Sequence, residues 1–434
     1  MRTHPGKISI ITLGCAKNLV DSEVLMKQLL VQGYETVHNP DELNTETVII
    51  NTCGFIHDAK QESIDMIMQV INARKQGLVR NIYVMGCLSQ RYKDELVKEI
   101  PEVTRFFGVS ELPQIVRELG GRFRKELVGE RHVTTPSHYA YLKVSEGCDR
   151  QCSFCAIPLI RGRQVSRPVD EILSEAAYLV TRGVRELILI AQDLTAYGTD
   201  RYRKKELGHL LTELERVNGL DWIRLHYAYP AAFPHEVLQI MASPGKICKY
   251  LDIPFQHISD KILSRMRRGI SRRETYQLID DIRKTVPGIA LRTSLMVGYP
   301  GESEEDFREL KAFVAGMRFD RLGVFIYSEE EGTYAAANER NTVSPGVKNA
   351  RYHEIMEIQR NISLGKNLEK VGQVMKVLVD RQEGQHYIGR TQYDSPEVDN
   401  EVVISSLSQN IRTGEFYSVR ISGAEEYDLY GIIG

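Results

Sequence analysis

Along the first hundred residues, short apolar runs alternate with amphipathic stretches. Lys7–Leu13 (KISIITL), Thr47–Asn51 (TVIIN) and Asn81–Met85 (NIYVM) are rich in β-branched and aromatic residues and end at turn signals, as buried strands do. The spacing between them predicts helices at about 19–32, 57–76 and 89–99. Tyr34–Val37 and Thr104–Gly108 bring the count to about five strands. Strand alternating with helix implies a parallel α/β sheet.

The alternation restarts after residue 140. Ala140–Ser145, Leu187–Ala191, Trp222–Ala228, Tyr250–Pro254, Ala290–Val297 and Leu322–Tyr327 are the expected strands, separated by helical patterns such as Val169–Thr181 and Arg272–Thr285. Six βα units are too few to close an eight-fold barrel, so a partial barrel is expected. His132–His138 (HVTTPSH) has the composition of a linker, and Arg351–Lys370 that of a long helix. Then the period changes. Gln373–Arg381, His386–Gln392, Glu401–Ile404, Glu415–Ser422 and Tyr427–Ile432 predict a small all-β module. The expected division is 1–134, 135–365 and 366–434.

Composition narrows the class. Apolar residues at 42% and charged residues at 26% exclude a disordered or fibrous chain. No apolar run is long enough for a membrane helix, and Met1–Lys7 lacks the pattern of a signal peptide. The net charge of −2 excludes a uniformly basic nucleic-acid coat. Seven cysteines, an odd number without an export signal, point away from disulfides and toward metal or redox use in the cytoplasm.

Three of them, Cys148, Cys152 and Cys155, form C-x3-C-x2-C directly after the first strand of the second block. Three thiolates on one loop can hold three irons of a 4Fe–4S cluster and leave the fourth open for chemistry. The alternative is zinc, which normally takes four ligands; no fourth Cys or His lies nearby in sequence. Cys15, Cys53 and Cys87 are far apart in sequence, yet each follows a predicted strand by one to three residues (ISIITLGC, VIINTC, YVMGC). The carboxyl ends of parallel strands share one edge, so these thiols can converge on a second three-ligand site. The alternative for them is burial as small hydrophobes. Cys248 is expected to be a structural thiol before a strand. His257 in PFQHIS is expected to be a hydrogen-bonded structural residue.

CxxxCxxC after the first strand of a partial barrel resembles the radical S-adenosylmethionine enzymes, and the second triad with a terminal β module resembles their methylthiotransferase family over essentially the whole chain. The resemblance implies two 4Fe–4S clusters. One, on Cys148, Cys152 and Cys155, splits S-adenosylmethionine to a 5′-deoxyadenosyl radical. The other, on Cys15, Cys53 and Cys87, presents sulfur. S-adenosylmethionine also supplies the methyl group. Phe154, Gln192 at the end of the second strand, and Gly298 in LMVGYPG match the family's S-adenosylmethionine contacts, and the β module matches a TRAM domain.

Within the family, Gly14–Glu23 (GCAKNLVDSE), Cys148–Gly162 (CDRQCSFCAIPLIRG) and Tyr327–Thr333 (YSEEEGT) resemble the branch that methylthiolates the β-carbon of an aspartate in the twelfth protein of the small ribosomal subunit. The other branch modifies an adenosine of tRNA. Residues 366–434 hold seven Lys/Arg and eleven Asp/Glu, a poor match to RNA phosphates and a better one to a basic ribosomal protein. Arg201–Lys205 (RYRKK) and Arg265–Arg268 (RMRR) are candidate contacts to adjacent ribosomal RNA. The resemblance also implies a reducing partner such as flavodoxin or ferredoxin, and no membrane.

Overall fold

The computed structural model describes residues 6–127, 129–405 and 410–433. Met1–Pro5, part of the stretch read for a leader, lie outside the described residues. No described helix is long and apolar enough to cross a membrane.

The first sheet has five parallel strands in the order Glu35–His38, Lys7–Thr12, Thr47–Thr52, Asn81–Gly86, Arg105–Phe106. Thr47–Thr52 is buried along its whole length. That explains its unbroken apolar run, because a central parallel strand is covered on both faces. Val48 and Ile50 pack against Ile67, Val70 and Ile71 of the helix His57–Lys75, while Ile10 and Ile49 pack against Leu25 and Leu29 of the helix Ala16–Leu30.

The second sheet runs in sequence order: Tyr139–Lys143, Glu186–Ile190, Trp222–Leu225, Ile247–Asp252, Ala290–Val297 and Arg321–Ile326, all parallel, with its two ends unjoined. Two strands differ from expectation. Trp222–Leu225 stops early because Tyr227 takes φ +63, off the strand region. The fourth strand starts at Ile247, so Cys248 lies inside it rather than before it. It is fully buried among Trp222, Tyr250, Ala290 and Leu378, and burial pushes its thiol up to about 12. Residues 132–138 have no regular structure but are pinned. Glu23 accepts from the Thr134 N–H at 2.7 Å, and His138 is 2.7 Å from Asp380.

The last five strands, Val374–Glu383, His386–Thr391, Glu401–Ser405, Phe416–Ala424 and Asp428–Ile433, close into a barrel. Residues 391–400 of this barrel pack against the face of the second sheet that is turned away from its helices. Arg224 donates to the Gln392 carbonyl at 2.8 Å, Tyr250 donates to Asp399 at 2.7 Å, Arg321 pairs with Asp394, and His226 meets Ser395 at 2.8 Å. Three of the module's eleven acidic residues are therefore internal. Asp394 and Asp399 neutralise barrel arginines, and Asp380 pairs with the buried Arg390. These three acids therefore belong to ion pairs inside the fold rather than to a surface for a partner.

Candidate functional site

The CxxxCxxC loop leaves the first barrel strand through the short strand Ser145–Glu146. Its shape is fixed by backbone bonds: the Cys148 N–H donates to Gly162 O at 3.1 Å and the Cys155 N–H to Cys152 O at 3.1 Å. Ser153 is fully buried and its hydroxyl is 2.8 Å from Tyr299 Oη. Phe154 packs against a buried group that includes Met266, Tyr299 and Tyr327. Burial pushes two of the thiols up, Cys148 to about 11 and Cys155 to about 12, with the neighbouring Cys152 adding to the rise in both. Such thiols become thiolates when a coordinated cation replaces the proton.

Cys15, Cys53 and Cys87 follow three adjacent strands of the first sheet and share its carboxyl edge. Cys53 and Cys87 each lie close enough to Cys15 for its charge to oppose their ionisation, although burial is the larger cause of their raised pKa values. Gly14, at φ +89, lets the chain turn past Cys53; a Cβ there would lie 2.7 Å from Cys53 Cβ. Ser63 pins Cys53, accepting from its N–H at 3.0 Å and donating to its carbonyl at 2.9 Å. Thr52 donates to Met85 O at 2.6 Å, tying two of the thiol-bearing turns together.

The helix after the first triad meets Cys87 of the second at one seam. Ala156 and Ile160, just after Cys155, pack in one buried group with Cys87. Arg161 at the end of that helix lies 3.5 Å from Cys87 Sγ and pairs with Asp21 at 2.9 Å and Glu146 at 3.0 Å. Lys143 joins the same carboxylates. Burial alone would raise the Glu146 carboxyl, but Lys143 and then Arg161 hold it down at about 2. Gln192 belongs here: its Nε2 donates to Glu146 at 2.6 Å, while its buried Oε1 has no protein partner. A second clamp closes the other side, where Glu330 of the YSEEEGT loop accepts from Lys60 and Arg91, each at 2.8 Å.

Gly298 has a structural reason of its own. It takes φ +72, its N–H donates to Glu302, and the Lys348 stem occupies the space of a Cβ. His257 is fully buried, and its Nδ1 accepts from the Ser259 N–H at 3.0 Å. Of the RMRR cluster, Arg265 pairs with Glu339, Arg267 lies over the Tyr334 ring and Arg268 is buried. That stretch is therefore not a free basic patch for RNA.

The thiols suit a cluster better than a single ion. A tetrahedral zinc site with bonds of about 2.3 Å holds its sulfurs within about 4 Å of one another. Among the described residues, no group of three or more His, Cys, Asp or Glu is placed to hold a single metal ion. Each triad supplies three soft thiol ligands on a short loop or a shared sheet edge, the donor set of an iron–sulfur cluster with one iron left open.

Three family models match. Residues 7–108 match the uncharacterized protein family UPF0004, residues 142–314 the radical SAM superfamily and residues 371–433 the TRAM domain. Among curated proteins, the ribosomal protein uS12 methylthiotransferase RimO of Bacteroides fragilis is 54% identical over 426 residues, 98% of this chain and 99% of its own. The same enzyme of Flavobacterium johnsoniae is 55% identical over 428 residues, covering 98% and 97%. The chain belongs to the RimO methylthiotransferase family. RimO enzymes use S-adenosylmethionine and two 4Fe–4S clusters, one in the radical domain and one in the UPF0004 domain. Solved structures echo the fold. TsrM, a radical S-adenosylmethionine methyltransferase from Kitasatospora setae, superposes with TM-score 0.55 at 15% identity over 74% of each chain. The cobalamin-dependent enzyme OxsB gives 0.52 at 12% identity, over 82% of this chain and 56% of its own.

In this RimO-family chain, several residues around the triads had no signal in sequence. Arg150 and Arg268 both lie against the Tyr229 ring, with guanidinium carbons 4.1 and 4.4 Å from its centre. Arg150 is neutralised by Asp193 at 2.7 Å. Asn18, read only as part of a similar stretch, has its Oδ1 3.7 Å from Cys87 Sγ. No motif spacing links these groups, because they come from separate βα loops.

Proposed function

We propose that this chain inserts a methylthio group at the β-carbon of an aspartate in ribosomal protein uS12. The observation that carries this is the end-to-end match to RimO of Bacteroides fragilis, 54% identical over 98% of the chain. The two relatives described above are uS12 enzymes matched almost end to end, which favours this reading over tRNA adenosine.

Cys148, Cys152 and Cys155 hold the radical-generating cluster in residues 135–365; Cys15, Cys53 and Cys87 hold the auxiliary cluster in residues 1–134. When bound, these groups supply what no side chain can, a one-electron cleavage of S-adenosylmethionine and a transferable sulfur. The protein's own part is placement. Phe154 and the unpartnered oxygen of Gln192 border S-adenosylmethionine. The Asp21–Arg161–Glu146–Lys143 network fixes one triad relative to the other. The seam of Ala156, Ile160 and Arg161 with Cys87 would join the two cluster-holding domains. An electron donor such as flavodoxin or ferredoxin and contact with neighbouring ribosomal RNA belong to the same reading.

Mass spectrometry of uS12 and of tRNA from a strain lacking this chain tests it. Loss of the methylthio mass from uS12 is expected. Loss from tRNA with uS12 unchanged overturns the reading.

A further inference from the structure

Seven arginines are buried among the described residues, and six of them meet a carboxylate at ion-pair distance, as Arg161 meets Asp21 and Arg224 meets Glu186. Arg268 is the exception. It is 3% exposed and no Asp or Glu among the described residues pairs with it. An uncompensated guanidinium in a low-dielectric interior is strongly unfavourable, so such a group implies an anion.

The surroundings of Arg268 say which anion. Its Nη1 lies 3.2 Å from Cys152 Sγ. Its Nη2 donates to the Pro254 carbonyl, and its Nε has no protein partner. Tyr229 holds the guanidinium in place: its ring centre is 4.4 Å away and its hydroxyl donates to the Arg268 carbonyl at 2.7 Å. The same hydroxyl is 3.6 Å from Cys152 Sγ. Arg150, on the same ring, already has Asp193.

We propose that Arg268 is the built-in counter-cation of the radical-generating cluster, a positioning residue whose charge is balanced by the Cys152 thiolate and the cluster behind it. This rests on the reading that Cys148, Cys152 and Cys155 hold that cluster. One-electron reduction makes the cluster more negative. A fixed cation donating N–H to a ligand sulfur favours that reduced state and raises the reduction potential. Arginine suits the task because its guanidinium stays protonated even when buried and is more weakly hydrated than an ammonium.

The test uses the full chain with C15A, C53A and C87A, so that only the radical triad binds iron. An EPR-monitored redox titration compares this parent with its R268M, R268Q and R268K derivatives. In R268M the reduced fraction at a fixed ambient potential should fall at least about tenfold, which is about 59 mV for one electron. R268K should recover most of that shift. If R268M does not retain iron, R268Q decides, since it keeps a donor and loses the charge. An R268Q potential equal to the parent's overturns the proposal. Failure of the underlying reading looks different: C152A in the same parent would keep its four irons.

Discussion

The guanidinium of Arg161 lies 3.5 Å from the sulfur of Cys87 and also donates to Asn18. One side chain thus reaches from the helix after the first thiol triad to a sheet edge carrying the second. Its charge is balanced by Asp21 and Glu146, so the contact is held from three sides.

Replacing it exposes that dependence. Arg161→Met leaves two carboxylates facing only Lys143, and stability should fall by about 3–5 kcal/mol in urea denaturation. In reconstituted enzyme the methylthio product should fall more than 5′-deoxyadenosine formation, because the radical triad keeps its own loop while its alignment with the second is lost.

Iron content separates the seven cysteines. Anaerobic reconstitution should give about eight irons per chain. Either C53A or C148A should leave about four, while C248A should keep about eight, as measured by iron and acid-labile sulfide assay.

Glu330 is shared by Lys60 and Arg91, and Arg91 also donates to the Gly54 carbonyl beside Cys53 at 3.1 Å. Glu330→Gln should cost about 3 kcal/mol by leaving two largely buried cations without their carboxylate. Hydrogen exchange should quicken around residues 52–54. Unchanged exchange there would show that the clamp does not reach the Cys53 turn.

His226 gives the enzyme a pH response. Burial, then the charges of Arg292 and Arg224, push its pKa well below 6.5. The unfolded chain then binds the extra proton first as pH falls below about 6.5. The folded state should lose stability over that window, at up to about 1.4 kcal/mol per pH unit, and show no such loss above it. In H226Q that part of the slope should vanish in urea denaturation between pH 6.5 and 5, since the amide can still meet Ser395.

Most of the architecture was legible because strand and helix periods switch cleanly. The β-branched run TVIIN marked a strand covered on both faces, and the turn to short strands after residue 370 marked the closed barrel. Cys15, Cys53 and Cys87 do follow three adjacent parallel strands, at one edge of the first sheet. Charge alone did not show where the acids lie. Net charge counts Asp394 and Asp399 as surface, although each neutralises an arginine from a strand at least seventy residues earlier. Arg268 was legible only as one of four residues in RMRR. That it lacks an acid can be seen only once every neighbour is placed, and tertiary contacts set neighbours that spacing does not encode.

The loop 391–400 gives the molecule an order of assembly. Arg224, Tyr250, Arg292 and Arg321 all emerge from the ribosome well before the groups that will satisfy them. Arg224 and Arg292 already have Glu186 and Asp252, but until residues 391–400 follow, their remaining partners and the cover on that face are missing. A nascent chain stopped at residue 390 would hold all seven cysteines on an unfinished scaffold. Synthesis of the closing segment, rather than of the cysteine loops, therefore completes the cover over that face of the central sheet.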